Sequence, residues 1–506
     1  MSDRSARAPG RVSHRGIVLH FTGDPDDPEH GAEHTHLYED GVLVVEDGRV
    51  VHAGRWHDRP RVPGAPERVE DHRGDLILPG FVDTHVHAAQ IDVMGTPGAQ
   101  LLPWLTQRVY PAELRFRDPA YAAAAARDLL GMLLAAGTTT AVVSTSTHPD
   151  AAEAFFAEAL ALDLRVVAGK ELMDACGTSS GGPVPDALLD PTWEKGHEAT
   201  VDLARRFHGR RGAPHDPYGS SRIGYCVSPR TAATSTLPAL EAAGALYRES
   251  AAAGEPLWAQ GHLMENRYEA DRVLGLLCGR GVHARSYLDV FDRCGLVGPR
   301  SVWAHCVWLG EDYPTTPASC PHRPAGGADL DRELLRERGA GVAFCPTSNL
   351  YLGSGFFPLH RLRGDGVPVG LGTDIGAGTG FSPLRALHDA YTATVLGNGF
   401  PAERPTGPRR SLSALRGLYL ATRGGAEALG LQGVIGGFSP GCEADFTVLD
   451  LGATPALRRR MDTAHDVHDM LFALMVLGDE RSVRTTYVTG RPLYRRGADP
   501  YTPYPT

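Results

Sequence analysis

The chain has 506 residues, 42% hydrophobic and 22% charged, an ordinary globular composition in a length that calls for one large domain plus an accessory one. A net charge of -10, with Lys170 and Lys195 the only lysines among 50 basic residues, excludes a nucleic-acid groove built on excess positive charge. The polar start, Met1 to Arg7, and the break of the longest alanine- and leucine-rich stretch by Arg127 and Asp128 predict no signal peptide and no membrane span.

From about Gly16 to Leu78 the sequence reads as short strands and turns: Ile17 to His20, Gly41 to Glu46, Arg49 to Ala53 and Asp75 to Leu78, punctuated by Gly, Asp and Pro. His34 and His36, set among Asp, Glu and Gly, read as solvated loop histidines. Next come helix-like Tyr121 to Ala136 and strand-like Thr139 to Ser144, then helix-like Ala151 to Leu162 and strand-like Arg165 to Ala168. Val302 to Ala304 and Val367 to Leu371 are later apolar runs, and β-like texture returns in Ala444 to Leu449 and Val483 to Val488. Repeated strand–helix units predict an α/β chain with a closed (β/α)8 barrel over 79–440, its active face at the C-terminal ends of the strands. Segments 1–78 and 441–506 are expected to build one small β-sandwich domain. His208 to Arg222 and Asp312 to Ala328, rich in Gly, Pro, Arg or Thr, read as surface insertions, the second with Cys320 and His322 as solvated residues. Eight scattered cysteines with no Cys-x-x-Cys fit free thiols in a reducing cytoplasm.

His85-Val86-His87, directly after the apolar run Leu76 to Val82, carries most of the chemistry. Successive strand side chains alternate faces, so histidines one residue apart project together and can grip one metal ion. Leu257 to His262 and Val302 to His305 are apolar runs ending in histidine, and Val367 to Asp374 ends in an aspartate. In a barrel these strand ends converge on one mouth, so five ligand-type residues can meet around a single ion. Histidines with one carboxylate suit zinc first and iron second. Glu265, three residues after His262, is placed to carry a proton between a metal-activated water and the substrate. Such a metal lowers the pKa of water from about 15.7 to about 7, roughly 12 kcal/mol.

Pro79 to Gln90 resembles the opening signature of the amidohydrolase superfamily, and within it of the guanine deaminases. Leu102 to Leu105, Tyr110 to Glu113, Gly137 to Ala141, Gly169-Lys170, Met173-Asp174, His262 to Arg267, Ala304 to Val307, Phe344 to Gly355 and Gly372 to Gly378 continue the likeness over about Arg15 to Arg495. The resemblance implies a single zinc held by His85, His87, His262 and Asp374, with His305 beside the attacked carbon. It implies that Asp374 takes the water proton and that Glu265 protonates first a ring nitrogen and then the departing amine, giving xanthine and ammonia from guanine. Gln90 and Arg230 would hold the purine's polar edges, Trp104 would wall the pocket, and the chain would form a homodimer. Thr231 departs from the pattern, which has Phe there; a lost ring of about 150–250 Å² weakens packing on a flat purine or admits a substituted one. Gly261 and Trp308 are smaller departures near the same residues.

Three other readings share these residues: deamination of a modified guanine, a pterin or an aminated triazine at the same site; a two-metal amide hydrolase bridged by carboxylated Lys170; and an inactive binding protein that kept the fold. The His-x-Glu with Pro-Cys-x-x-Cys signature of the base-editing zinc deaminases is missing.

Overall fold

The computed structural model describes residues 10–61, 68–98, 100–175, 184–210, 221–310, 327–397 and 411–497. Most of both expected insertions, with Cys320 and His322, lies outside them. The strands are β1 (Val12–Phe21), β2 (Thr35–Glu46), β3 (Arg49–Arg55), β4 (Arg68–Pro79), β5 (Phe81–His87), β6 (Thr138–Ser144), β7 (Arg165–Gly169) and β8 (Glu171–Leu172). They continue as β9 (Ile223–Pro229), β10 (Trp258–Leu263), β11 (Ser301–His305), β12 (Gly341–Phe344), β13 (Val369–Leu371), β14 (Phe446–Asp450), β15 (Val483–Val488) and β16 (Arg491–Arg495).

Eight parallel strands follow one another in the order β5-β6-β7-β9-β10-β11-β12-β13, and β8 adds to β9. Every residue of these strands is buried, as expected of parallel strands covered on both faces, and this is why they read as continuous apolar runs rather than alternating ones. Three of the covering helices start where the sequence supplies caps: the Asp118 side chain accepts from the Ala120 amide ahead of Pro119, and Thr192 and Thr236 cap two later helices at Lys195 and Ala239.

β13 closes on β5 through polar contacts. The Asp374 amide donates to the His85 carbonyl at 2.8 Å, and the buried Asp83 carboxylate accepts from the Thr373 amide (3.0 Å), the Thr373 hydroxyl and the His85 amide (3.2 Å). Gly370 permits the approach, since a Cβ there would stand 2.4 Å from the Thr84 methyl.

The strands of the two chain ends share one sheet, ordered β16-β15-β14-β4-β1-β2-β3, in which β4 runs parallel to β1 and antiparallel to β14. Val18, Leu43, Ile77, Phe446 and Val448 form part of its core. A buried ionic network joins this sheet's C-terminal part to the barrel: Glu443 accepts from Arg165 and Arg222, and Asp445 from Arg222 at 2.8 Å. Both arginines sit at or just before the starts of barrel strands, opposite the active face. His34 and His36 are not loop residues: His34 ends a helical turn and His36 lies in β2, both half-buried, with His36 within hydrogen-bond distance of Thr22 Oγ1 and stacked on His20. Their neighbours in the fold account for both.

Candidate active site

Five side chains converge at the C-terminal mouth of the barrel. His85 and His87 come from the end of β5, His262 from β10, His305 from the last position of β11, and Asp374 from three residues beyond β13. Asp374 Oδ1 lies 3.4 Å from Nε2 of both His85 and His87, His87 Nε2 is 3.1 Å from His262 Nε2, and His305 Nε2 is 3.8 Å from Asp374 Oδ2. All five are buried.

The surrounding groups fix which ring nitrogens face inward. His262 Nδ1 donates to the Arg230 carbonyl at 2.8 Å and His305 Nδ1 to Asn349 Oδ1 at 3.1 Å, so both turn Nε2 toward the cluster. His87 Nδ1 stands 3.6 Å from Glu171. Burial, then the neighbouring imidazoles, hold His85 and His262 well below the usual histidine range. Nε2 of His85 and of His305 is buried without a hydrogen-bond partner. Two imidazole nitrogens 3.1 Å apart, two more buried without a partner, and a carboxylate oxygen 3.4 Å from two of the rings make a convergent set of donors that a cation would satisfy. The donor set fits a divalent metal.

Backbone strain accompanies the cluster. Met264, His305, Cys306 and Asp374 all have positive φ, at 52°, 72°, 51° and 52°, a left-handed conformation that costs a non-glycine residue about 1–3 kcal/mol and gathers at functional sites. At Met264 it turns the chain out of β10, so that Glu265 faces the cavity before the helix Arg267–Gly279 begins.

The cavity opens at the mouth of the barrel. His87, His262, His305, Asp374 and Glu265 line it, together with Gln90, Trp104, Arg230 and Thr231; of the ten predicted site residues only His85 sits behind the lining. Glu265 is 3.6 Å from His305 Nε2, and burial, then the Asp374 charge, pushes its carboxyl up to about 8. Trp104 is anchored by its Nε1–H to Thr96 (3.0 Å), and the Thr231 hydroxyl lies 3.2 Å from that of Thr234.

The sequence reading missed three acids. Glu113 and Glu171 flank the buried Arg230, whose Nη1 donates to them at 2.7 and 3.0 Å, and Gln90 Nε2 donates to Glu113 at 3.4 Å. Burial alone would raise Glu171, but Arg230 and His87 outweigh it and hold the carboxyl at about 2. Arg230 is thus a charge locked in place, with one nitrogen already committed. Glu269 lies one helical turn after Glu265, lines the same cavity, and is pushed up to about 8 chiefly by burial. Glu113 ends one recognisable motif and Glu171 follows another, but nothing local marks their partner. Lys170 points elsewhere: its buried ammonium pairs with Asp190 at 2.6 Å and donates to the Glu171 carbonyl at 2.9 Å, which leaves it unavailable to bridge two metals.

A parallel barrel with imidazoles and a carboxylate at its mouth defines a class of metal-site hydrolases. Residues 76–493 match the model of the amidohydrolase family, and the chain belongs to that family. It is 39% identical over 482 residues to the guanine deaminase of Escherichia coli strain K12, covering 95% of this chain and 97% of that one. It is 37% identical over 499 residues to a probable guanine deaminase of Deinococcus radiodurans, covering 96% and 99%. The solved structure of the E. coli guanine deaminase superposes with a TM-score of 0.81 at 37% identity, over 96% of this chain and all of that one.

Proposed function

We propose that this chain catalyses the hydrolytic deamination of guanine, turning guanine and water into xanthine and ammonia. The observation that carries the reading is that one cavity is lined by the histidine–aspartate cluster, the acid Glu265, and Gln90 and Arg230, which Glu113 ties together, in a protein 39% identical to a guanine deaminase along nearly its whole length. Barrel segment 79–440 is the catalytic unit, and 1–78 with 441–506 form the accessory β domain.

His85, His87, His262 and Asp374 would hold one divalent ion, zinc in preference to iron because the donors are imidazoles and one carboxylate without thiolate. When bound, that ion supplies an acidified water, its pKa lowered from about 15.7 to about 7. Asp374 would accept a proton from the attacking water. Glu265, which burial keeps proton-loaded near neutral pH, protonates the ring nitrogen beside the amidine carbon as the carbon–oxygen bond forms. Recharged with the proton that Asp374 took, Glu265 then delivers it to the exocyclic amine as the carbon–nitrogen bond breaks and ammonia leaves, and the proton of the newly added hydroxyl restores its carboxyl. His305, fixed by Asn349, stands beside the attacked carbon. Gln90 and Arg230 hold the polar edges of the base, and Trp104 walls its face. The reading carries with it a homodimer and a cytoplasmic location; the described cysteines are free thiols, and no described helix is long and apolar enough to cross a membrane.

Thr231 favours a second reading, a substituted guanine or related aminated ring, because a small side chain lines the cavity where the guanine deaminase pattern has an aromatic one. Ammonia release from guanine, substituted guanines, a pterin and an aminated triazine separates the two. Guanine is expected to have the highest kcat/KM, and Thr231→Phe to raise it further while lowering that of bulkier rings. A metal-loaded enzyme that turns over a bulkier ring at least about tenfold better, 1.4 kcal/mol in the transition state, overturns the guanine reading. Metal-loaded protein inert toward every ring overturns deamination itself.

A further inference from the structure

A second cluster of metal-ligating atoms lies in the small sheet, away from the barrel mouth. His14 on β1 is the direct cross-strand partner of Glu70 on β4, and His72 follows Glu70 by two residues. It therefore projects from the same face, by the alternation that pairs His85 with His87. His14 Nδ1 is 3.2 Å from His72 Nε2, and Glu70 Oε2 lies 3.7 Å from the first and 3.9 Å from the second. A hydrogen bond between the two rings accounts for the first distance only. The carboxylate oxygen is too far from either nitrogen to accept from it, yet it faces both.

A triangle with these sides has a point about 2.1 Å from all three corners, which falls among zinc–nitrogen and zinc–oxygen bond lengths of about 2.0–2.2 Å. Glu70 is oriented from outside: Tyr487 donates to Oε2 at 2.6 Å and Arg68 to Oε1 at 2.9 Å, the outer support that ligating carboxylates require. The side chains of His14, His72 and Glu70 are 2%, 10% and 20% exposed, leaving one side open to a recess for a fourth ligand such as water. Arg484 and Arg496, which line that recess, are spent on Asp75 and Asp450.

We propose that His14, Glu70 and His72 form a second binding site for a divalent transition ion of the zinc class, independent of the barrel site. The ion bridges β1 and β4 beside Tyr487 of β15 and so clamps the parallel seam between the N-terminal strands to the C-terminal part of the sheet.

The test is metal content of the full-length protein equilibrated with micromolar Zn2+ and freed of unbound ion. Wild type is expected to hold two equivalents per chain, and His72→Gln one, with turnover unchanged. One equivalent in wild type, or two retained in His72→Gln, overturns the proposal. Should His72→Gln fail to fold, anomalous scattering at the zinc edge from wild-type crystals decides the matter: a peak between His14 and His72 supports the site, and a peak at the barrel mouth alone overturns it.

Discussion

Asp83→Ala probes how the barrel mouth is held shut. The Asp83 carboxylate accepts three hydrogen bonds, from the amides of Thr373 and His85 and from the Thr373 hydroxyl, and by doing so it fixes both neighbours of the seam bond from the Asp374 amide to the His85 carbonyl. Alanine leaves two buried amides without acceptors, at about 1–3 kcal/mol each, while the hydroxyl can rotate toward another partner. A loss of about 2–6 kcal/mol is expected. Because the orphaned groups flank His85 and Asp374, metal affinity should fall about 10- to 100-fold, as for other residues that orient ligands from behind. Asp83→Asn is the control: its amide oxygen still accepts from both backbone amides, and its NH2 donates to the Thr373 hydroxyl, so it should stay within about 1.5 kcal/mol of wild type. Urea unfolding of metal-free protein gives the stability change, and competition with a chromophoric chelator gives the affinity. Asp83→Ala with wild-type stability and affinity refutes the seam argument, and Asn behaving as badly as Ala shows that charge, rather than hydrogen-bond geometry, matters at this position.

Glu265→Gln keeps the volume and removes the transferable proton, so kcat should fall about 10²- to 10⁴-fold with metal content unchanged; equal turnover in steady-state assays ends the proton-carrier assignment. Glu113→Gln takes away one of the two carboxylates facing Arg230 and weakens the anchor of Gln90. KM should rise about tenfold or more while kcat changes less, the signature of lost uniform binding; a fall in kcat alone contradicts it. His20 is held at about 3 by burial, from about 6.5, so the unfolded chain takes up a proton below about pH 6.5 that the folded one refuses. The His20 contribution is therefore full above that pH and is lost as pH falls, by about 2 kcal/mol at pH 5. Denaturation midpoints measured from pH 7 to 5 should drop in wild type and drop less steeply in His20→Gln, the other buried histidines keeping their share; identical slopes contradict the assignment.

Much of the barrel and of the histidine–aspartate cluster at its mouth was legible in the residues. The pairing of His85 with His87 follows from the two-residue period of a strand, and the convergence of His262, His305 and Asp374 follows from their place after apolar runs in a parallel barrel. What the chain order does not encode is which distant groups meet. Arg230 finds Glu113 and Glu171 across 117 and 59 residues, and His305 finds Asn349 across 44; no local pattern marks such pairs, because each partner is an ordinary residue until folding buries it. His36 likewise read as a loop residue, since its acidic and glycine-rich flanks concealed a strand held by β1. Sequence periodicity determined the elements and the ligand types, because both are set by backbone geometry repeated every few residues. The tertiary structure alone decided the positive φ values at the mouth, the locking of Arg230, the diversion of Lys170 to Asp190 and the meeting of His14 with His72, because each depends on burial and on the register between strands far apart in the chain.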